Sequence, residues 1–183
     1  MDKYPNLPLG VTEAEEFVML SEHVPWLFAG EPGRSLLYVG ANQLRPPFHA
    51  QRLKQHGWEL HLLEIFPGNI AHHQSTGLFS SLTLGDVRTV GIMQNQFDCV
   101  MWWHGCEHIP EEDLPNTLKR LEQLAPNIVL GCPDGYSPQA TVYGNAAEQH
   151  QWSVEAGDLR ALGYQVVGYA PVGRKHLLAW KIT

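Results

Sequence analysis

Residues 97–135, FDCVMWWHGCEHIPEEDLPNTLKRLEQLAPNIVLGCPDG, set the fold of this 183-residue chain. The segment contains two apolar runs, "FDCVMWW" and "NIVLGC", separated by an amphipathic stretch over residues 111–124. Near-continuous apolar runs are typical of strands in a parallel sheet, because helices cover both faces of such strands. A strand, a helix and a second strand of this kind predict one βαβ unit.

The remainder of the chain continues this alternation. Further strands are predicted for residues 36–39 and for "ELHLLEIF", "SSLTLGDV", "YQVVGYA" and "HLLAWKI", and further helices for residues 12–23, 50–56 and 153–162. The last two strands are joined only by "APVGRK", which suits an antiparallel hairpin. The sequence therefore predicts a doubly wound α/β fold with a mostly parallel seven-stranded sheet and an antiparallel last strand. One domain is expected over residues 1–183, with 1–34 as a helical extension and 35–183 as the core.

Local signals mark where some of these elements begin and end. Thr12 and Glu15 form the pattern of a capping box, which predicts that the first helix begins at Thr12. Ser153 is expected to cap the last long helix. The tripeptide "PGN" follows the second strand and is expected to stop it, because proline and glycine interrupt regular structure.

Composition and charge narrow the classes of function. No apolar run reaches the roughly 20 residues needed to cross a bilayer, so a membrane protein is not expected. The net charge of −7 disfavours sequence-independent binding to nucleic acid. The three cysteines include no C-x-x-C pair, which argues against disulfides and a structural zinc site. Acidic residues and prolines near the N-terminus do not form a leader pattern, and the chain is expected to be cytoplasmic.

A glycine and three polar residues lie at the ends of four of the predicted strands. Gly40 comes after the first strand, Glu64 lies near the end of the second, Asp86 follows the third and His104 follows the fourth. In doubly wound sheets, ligands bind beyond the carboxyl ends of the strands, next to the first strand. The chemistry of this chain is therefore expected at these strand ends.

The segments "LLYVGAN", "LLEIF", "LGDV", residues 97–135 and "WSVEAGDLRALGYQV" resemble, in order and spacing, the motifs of class I S-adenosylmethionine-dependent methyltransferases. The resemblance covers residues 35–183 and implies S-adenosylmethionine as cofactor and adenosylhomocysteine as product. It implies that Gly40 lies against the methionine portion, that Glu64 binds the ribose hydroxyls and that Asp86 binds the adenine amino group. The cofactor-binding residues that it implies are Gly40, Ala41, Asn42, Glu64, Ile65, Asp86, Val87 and Trp103.

Residue chemistry supports the same role for Glu64. A carboxylate only accepts hydrogen bonds, and a ribose diol offers two adjacent donors. Glu64 lies 24 residues after Gly40 (64 − 40), close to the roughly 20 expected between a glycine loop and its ribose-binding acid. The alternatives are that Glu64 only caps a strand at the surface and that Asp86 belongs to an ordinary Gly-Asp turn.

The glycine loop departs from the family pattern at two positions. Tyr38 stands where the family usually has an acidic residue, and Asn42 stands where it has a second glycine. Tyrosine cannot replace a carboxylate that faces an ammonium group. Asparagine tolerates left-handed backbone better than most residues, so the turn can survive. Adenosylmethionine carries no phosphate, and the loss of glycines therefore matters less here than in a dinucleotide site.

The segment "WWHGCEHIP" brings histidines to the end of the fourth strand. Under the resemblance, His104 is the candidate general base, because imidazole titrates near neutral pH. Glu107, His108 and His150 are candidates for the substrate pocket, and hydrogen-bonded structural roles are the alternative for them. No metal is expected, because ligands one and two apart on a turn seldom converge on one ion. Whether the histidines of the chain gather above the sheet is left open, the candidates being His72, His73, His104, His108 and His150.

Three functions follow from these observations. The first is a methyltransferase that acts on an unidentified small-molecule or protein acceptor, with a shallow pocket that a second subunit completes if the chain is a homodimer. The second is a methyltransferase-like binding or assembly protein without turnover, which Tyr38 and Asn42 motivate. The third is a metal-dependent or other enzyme that uses the histidine-rich rim.

Overall fold

The computed structural model describes residues 9–42, 48–91, 96–142, 144–170 and 173–183, with the backbone alone described for residues 9–14 and 48. The strands are β1 (Ser35–Val39), β2 (Glu59–Glu64), β3 (Ser81–Leu84), β4 (Cys99–Trp103), β5 (Asn127–Pro133), β6 (Gln165–Tyr169) and β7 (His176–Ile182). The α-helices are α1 (Leu9–His23), α2 (Phe48–Gln55), α3 (Pro67–Thr76), α4 (Leu114–Leu124) and α5 (Ala156–Ala161). Short 3-10 turns occupy Pro25–Phe28, Cys106–His108, Glu111–Asp113 and Ala146–Glu148.

The seven strands form one sheet in the order β3-β2-β1-β4-β5-β7-β6. β1 pairs in parallel with β2 and β4, and β4 pairs in parallel with β5. β7 lies between β5 and β6 and is antiparallel to both, with His176 opposite Pro133 at one end of its pairing with β5. The predicted sheet, including its antiparallel last strand and the final hairpin, is confirmed.

Side chains alternate between two buried layers on the faces of this sheet. Leu37 and Val39 of β1 belong to the layer that α4 and α5 cover, where the helices contribute residues such as Leu118 and Leu159. Leu36 and Tyr38 of the same strand belong to the opposite layer, with residues from α1 and α2. Because both faces of the central strands are covered, their apolar runs are nearly continuous.

The boundaries of three elements differ from the sequence prediction. Helix α1 begins at Leu9, and Thr12 lies within it, so a start at Thr12 was wrong. The tripeptide beginning at Pro67 opens α3, where proline occupies the first turn and its missing N–H costs no hydrogen bond. Helix α5 begins at Ala156, so its N-cap is Glu155 and not Ser153. The Asp158 carboxylate accepts a hydrogen bond from the N–H of Glu155 at 2.8 Å.

All three cysteines are free and buried, as the absence of a C-x-x-C pair indicated. Among the residues that the structure describes, no helix combines the length and apolar character that crossing a bilayer requires.

Gly131 of β5 makes room for an indole on the neighbouring strand. It pairs in register with Trp103 of β4, and a Cβ atom built at Gly131 would lie 2.5 Å from Cδ2 of that ring. We expect Gly131→Ala to lower the free energy of unfolding by about 1 to 3 kcal/mol, the usual cost of overpacking a core. Urea denaturation followed by tryptophan fluorescence measures this change.

Gly157 of α5 provides the matched control, because nothing lies within 4 Å of a Cβ atom placed there. Gly157→Ala should leave stability unchanged or raise it by about 0.5 to 1 kcal/mol, since alanine is the better helix former. Equal stability of the two variants would contradict the steric role of Gly131.

Candidate functional site

A cavity of about 1410 Å³ lies at the carboxyl ends of the central strands. Gly40 after β1, Glu64 at the end of β2, Asp86 after β3 and His104 after β4 all line it. The ends of these four strands therefore line one continuous cavity. Every cofactor-binding and substrate-pocket residue named in the sequence analysis contributes to its wall.

The glycine loop, residues 40–42, turns sharply at the end of β1 and is hydrogen-bonded to α3. Gly40 has a φ of +72°, and no atom of the described residues lies within 4 Å of the position that a Cβ atom would take. The Nε2 atom of His73 donates hydrogen bonds to the carbonyl oxygens of Ala41, at 2.9 Å, and Asn42, at 3.2 Å. Glycine thus permits the left-handed turn, and a buried histidine fixes the two residues that follow it.

Glu64 is buried beneath this loop, with 4% of its surface exposed. Its Oε2 atom accepts a hydrogen bond from the N–H of Ala41 at 2.8 Å, and its Oε1 atom accepts one from the N–H of Phe66 at 2.7 Å. Glu64 is therefore not at the surface, although it bonds to backbone N–H groups as a cap does. A carboxylate has about four acceptor positions, so each oxygen keeps one for a ligand.

Asp86 lies in the cavity wall with its carboxylate already engaged. The backbone N–H and the guanidinium of Arg88 both bond to it, with Nη2 2.6 Å from Oδ2. These hydrogen bonds outweigh partial burial and lower the pKa of Asp86. Arg88 also reaches Asp113 at 3.0 Å. A direct bond from Asp86 to an adenine amino group therefore requires Arg88 to give up one of its contacts.

A carboxylate from α1 lies beside Tyr38, where the sequence lacks the family's acid. Glu16 lines the cavity, is 7% exposed and lies 3.0 Å from Nε2 of His49. Burial alone would raise the pKa of Glu16, but the hydrogen bond and charge of His49 lower it, with smaller contributions from nearby histidines. Burial and the nearby Glu16 raise the pKa of Tyr38, which stays neutral. No sequence signal marks this position of Glu16 beside Tyr38, because "TEAEEF" is typical of an ordinary helical stretch.

His104 occupies strained backbone at the end of β4. Its φ of +53° is positive, and its N–H donates to the carbonyl oxygen of Gly131 at 2.7 Å. Its side chain is 37% exposed, and Nδ1 lies 3.3 Å from Oε1 of Glu107. Burial of the ring alone would lower the pKa of His104, but the hydrogen bond and charge of Glu107 raise it. Strain of this kind persists where surrounding contacts enforce it, often at functional sites.

Residues 148–152 pack against the turn that follows β4. The N–H of Gln151 donates to the carbonyl oxygen of Glu107 at 2.7 Å, and Nε1 of Trp152 donates to that of Cys106 at 3.0 Å. This contact brings His150 to His108, with ring centroids 4.8 Å apart. The three candidates for the substrate pocket are therefore neighbours.

The histidines of the chain do not all gather. His104, His108 and His150 line the cavity, whereas His73 lies under the glycine loop and meets His72 of the same helix edge to face. Trp103 is largely buried against His49, with ring centroids 4.6 Å apart, and it still contributes to the cavity wall. Ile65 is 44% exposed and Val87 only 9% at the same rim.

No protein-family model matches the chain, and no curated protein matches it in sequence. The structure is similar to magnesium protoporphyrin IX methyltransferase from Synechocystis PCC 6803 with bound SAH, with a TM-score of 0.67, 15% identity and coverage of 100% of this chain and 90% of that one. It is also similar to an S-adenosylmethionine-dependent methyltransferase from Mesorhizobium loti, with a TM-score of 0.63, 13% identity and coverage of 87% and 96%. The chain has the methyltransferase fold.

The same fold is found in a Rhodobacter sphaeroides protein that carries the name of a zinc-dependent alcohol dehydrogenase. That similarity has a TM-score of 0.69 at 10% identity and covers 95% of this chain and 99% of the other. Because one fold hosts different reactions, the methyltransferase fold does not by itself decide the chemistry. The function has to be argued from the residues that line the cavity.

The buried ring of His73 makes stability depend on pH. Its burial outweighs the bonds to Ala41 and Asn42 and lowers the pKa of the ring below 6.5. As pH falls below about 6.5, the unfolded chain therefore binds a proton that the folded chain does not, and stability is lost until the folded pKa is reached. His73→Gln keeps a side-chain donor for the carbonyl oxygens of Ala41 and Asn42 and removes the titrating imidazole.

We expect the stability of the wild type to fall relative to His73→Gln between about pH 7 and pH 5, by at most about 1.4 kcal/mol per pH unit. Urea denaturation at each pH measures the difference. His72 and Glu64, which also act on this ring, are present in both proteins. Parallel curves for the two proteins would show that His73 does not titrate differently on folding.

Proposed function

We propose that the chain is an S-adenosylmethionine-dependent methyltransferase that acts on a small-molecule or protein acceptor. One observation carries the proposal: the buried carboxylate of Glu64 is aligned by two backbone N–H groups at the wall of a cavity that also contains the open turn at Gly40. The similar Synechocystis enzyme has structures with bound SAH and with bound SAM. When bound, S-adenosylmethionine supplies a methyl group from a sulfonium. Transfer of that methyl group leaves a neutral thioether.

The residues of the cavity fit this cofactor. Glu64 keeps one acceptor position on each oxygen, which suits the two hydroxyls of a ribose. Gly40 exposes backbone with no side chain in the way. Glu16 replaces the missing acid at Tyr38, because its lowered pKa keeps a negative charge in the cavity wall for an ammonium group.

The adenine end of the site is less open. The two oxygens of Asp86 face Arg88, and we propose that the contact to adenine is made with Arg88 displaced or through the neighbouring backbone at Val87. This arrangement is also the observation that favours a non-catalytic, methyltransferase-like binding protein as second candidate. Binding and turnover separate the two candidates.

His104 is positioned to act as the base. The carboxylate of Glu107 can only accept, so Nδ1 of His104 donates to it, and in the neutral ring the lone pair lies on Nε2. Nε2 can then take the proton from an acceptor hydroxyl or amine as its lone pair attacks the methyl carbon. The carboxylate orients the ring and stabilises the imidazolium that results.

Cofactor recognition is tested with two ligands, adenosylhomocysteine and 5′-methylthioadenosine, of which only the first has an ammonium group. Glu64→Ala should weaken both by roughly 10- to 150-fold, because both have the ribose diol and a bond to a charged group contributes about 1.5 to 3 kcal/mol. Glu16→Gln should weaken adenosylhomocysteine by a similar factor and leave methylthioadenosine unchanged. Isothermal titration calorimetry gives both affinities.

Two exposed glutamates serve as matched controls. Glu59 lies at the start of the same strand as Glu64, and Glu22 lies on the same helix as Glu16. Glu59→Gln and Glu22→Gln should bind both ligands like the wild type. Gly40→Val should bind neither, because φ at this position disfavours a branched residue. A wild type that takes up no adenosylhomocysteine at millimolar concentration would contradict the site.

Turnover is tested by supplying methyl-labelled S-adenosylmethionine together with extract of the source cells as a mixture of acceptors. The wild type should transfer label to an extract component, and His104→Ala should slow the transfer by roughly 100-fold while adenosylhomocysteine affinity changes little, as expected for loss of a general base. Normal binding without any label transfer would favour the non-catalytic candidate. Unchanged transfer by His104→Ala would show that His104 is not the base.

A further inference from the structure

Two clusters of one carboxylate and two histidines lie at the acceptor end of the cavity. One contains Glu107, His108 and His150, and the other contains Glu16, His104 and His176. Within each cluster the candidate ligand atoms lie within 4.8 Å of one another. We propose that Glu107, His108 and His150 bind a divalent transition-metal ion such as Zn²⁺. The inference does not rest on the proposed methyl transfer.

The first step concerns the protons on the two histidines. Nδ1 of His108 lies 3.4 Å from the carbonyl oxygen of Gln149, and Nδ1 of His150 contacts the carbonyl oxygen of Ser137. Carbonyl oxygens only accept hydrogen bonds, so Nδ1 of each ring donates. In the neutral rings the lone pairs are therefore on Nε2, the state in which histidine binds metals. Such an Nδ1–H bond to a carbonyl is typical of metal-ligating histidines.

The second step concerns what these lone pairs face. Nε2 of His108 lies 3.9 Å from Oε1 of Glu107, and Nε2 of His150 lies 4.0 Å from the same oxygen. Two nitrogen lone pairs and a carboxylate oxygen are all acceptors and cannot bond to one another. A cation between them converts this repulsion into three attractive contacts.

The third step concerns Glu107, which is 2% exposed. His104 contacts its Oε1 atom, and Oε2 is buried without a hydrogen-bond partner among the residues that the structure describes. A buried carboxylate that is only partly paired carries a large desolvation cost. A metal ion supplies the missing positive charge at this position.

The donor set defines the class of ion. Two imidazoles and one carboxylate bind Zn²⁺ in metalloenzymes and Fe²⁺ in oxygenases, and three protein ligands leave a position open for water or substrate. Tetrahedral zinc holds its ligand atoms roughly 3.3 Å apart, given bonds of about 2.0 to 2.1 Å. The nitrogen-to-oxygen distances here therefore need to shorten by only roughly 0.6 Å. All three residues line the cavity, so a bound ion would be accessible to an acceptor oxygen or nitrogen.

The other cluster is the weaker candidate for an ion. Glu16 already has His49 at 3.0 Å, and Nδ1 of His104 is directed to Glu107. The carboxylate and one imidazole of that cluster therefore already have hydrogen-bond partners within the protein. For this reason we assign the ion to Glu107, His108 and His150, and the test includes a variant in the other cluster.

The experiment titrates metal-free full-length chain with Zn²⁺ in competition with a chromophoric chelator, in the absence of S-adenosylmethionine. We expect one ion per chain. Glu107→Gln and His150→Gln should each weaken binding by roughly 100-fold, since even outer contacts of metal sites change affinity 10- to 100-fold. His176→Gln and His72→Gln should bind like the wild type, the first testing the other cluster and the second a histidine outside the cavity.

Thermal unfolding provides a second readout that does not depend on the competitor. Zn²⁺ at about 100 times the wild-type dissociation constant should raise the Tm of the wild type by about 5 to 10 °C. It should raise that of Glu107→Gln by only about 1 °C, because a site that binds 100-fold more weakly is half occupied at this concentration. A cooperative melting transition of each metal-free variant tests whether it folds. Glu107→Gln is expected to fold, because the glutamine NH₂ can donate to the imidazole lone pairs.

Three outcomes would overturn the proposal. The first is that the wild type does not bind Zn²⁺ at millimolar concentration. The second is that Glu107→Gln and His150→Gln bind Zn²⁺ with unchanged affinity. The third is that His176→Gln loses binding while His150→Gln retains it. Because the titration contains no S-adenosylmethionine, its failure leaves the proposed methyl transfer untouched, and failure of cofactor binding leaves the metal site untouched.

Discussion

The pairing of β1 with β2 on one side and β4 on the other is the constraint on which the site depends. In this register Val39 lies beside Leu63 and Trp102, so the three strands end at the same level. Gly40, Glu64 and Trp103 are therefore neighbours at one edge of the sheet, although they are far apart in sequence. The parallel direction is what places these ends together, because antiparallel neighbours would alternate their ends between the two edges.

Three buried carboxylates line the cavity, and each is stabilised differently. Glu64 accepts two backbone N–H bonds, and Glu16 pairs with a histidine. Glu107 has one hydrogen bond from a histidine, and its other oxygen has no partner among the described residues. Buried charges are costly unless paired, so the completeness of the pairing indicates the function of each group. In our proposals the first binds ribose hydroxyls, the second keeps a charge for an ammonium group, and the third binds a cation.

The positions with positive φ or close packing lie where strands β1 and β4 end at the cavity. A positive φ at Gly40 costs little, whereas the same region at His104 is strained and is enforced by the hydrogen bond from its N–H to Gly131. The turn after His104 also requires glycine, since a Cβ atom at Gly105 would lie 1.6 Å from the Trp102 indole. These contacts fix the direction of the turn that carries Glu107 and His108.

The sequence by itself determined the seven strands along the chain, four of the five described α-helices, the antiparallel last strand and the level at which Gly40 and Glu64 lie, because hydrophobic periodicity and turn residues are local properties of the chain. It missed α3, because proline and glycine at its start indicate a break in regular structure as readily as a first helical turn. It did not determine which distant side chains meet. His73 under the glycine loop, Arg88 on Asp86 and Glu16 beside Tyr38 carry no local signal, since each looks like an ordinary residue of its own element. The convergence of His150 with Glu107 and His108 likewise depends on residues 148–152 packing against the turn after β4. Only the tertiary structure decides such contacts, because they join segments whose relative placement is set by the packing of the whole sheet.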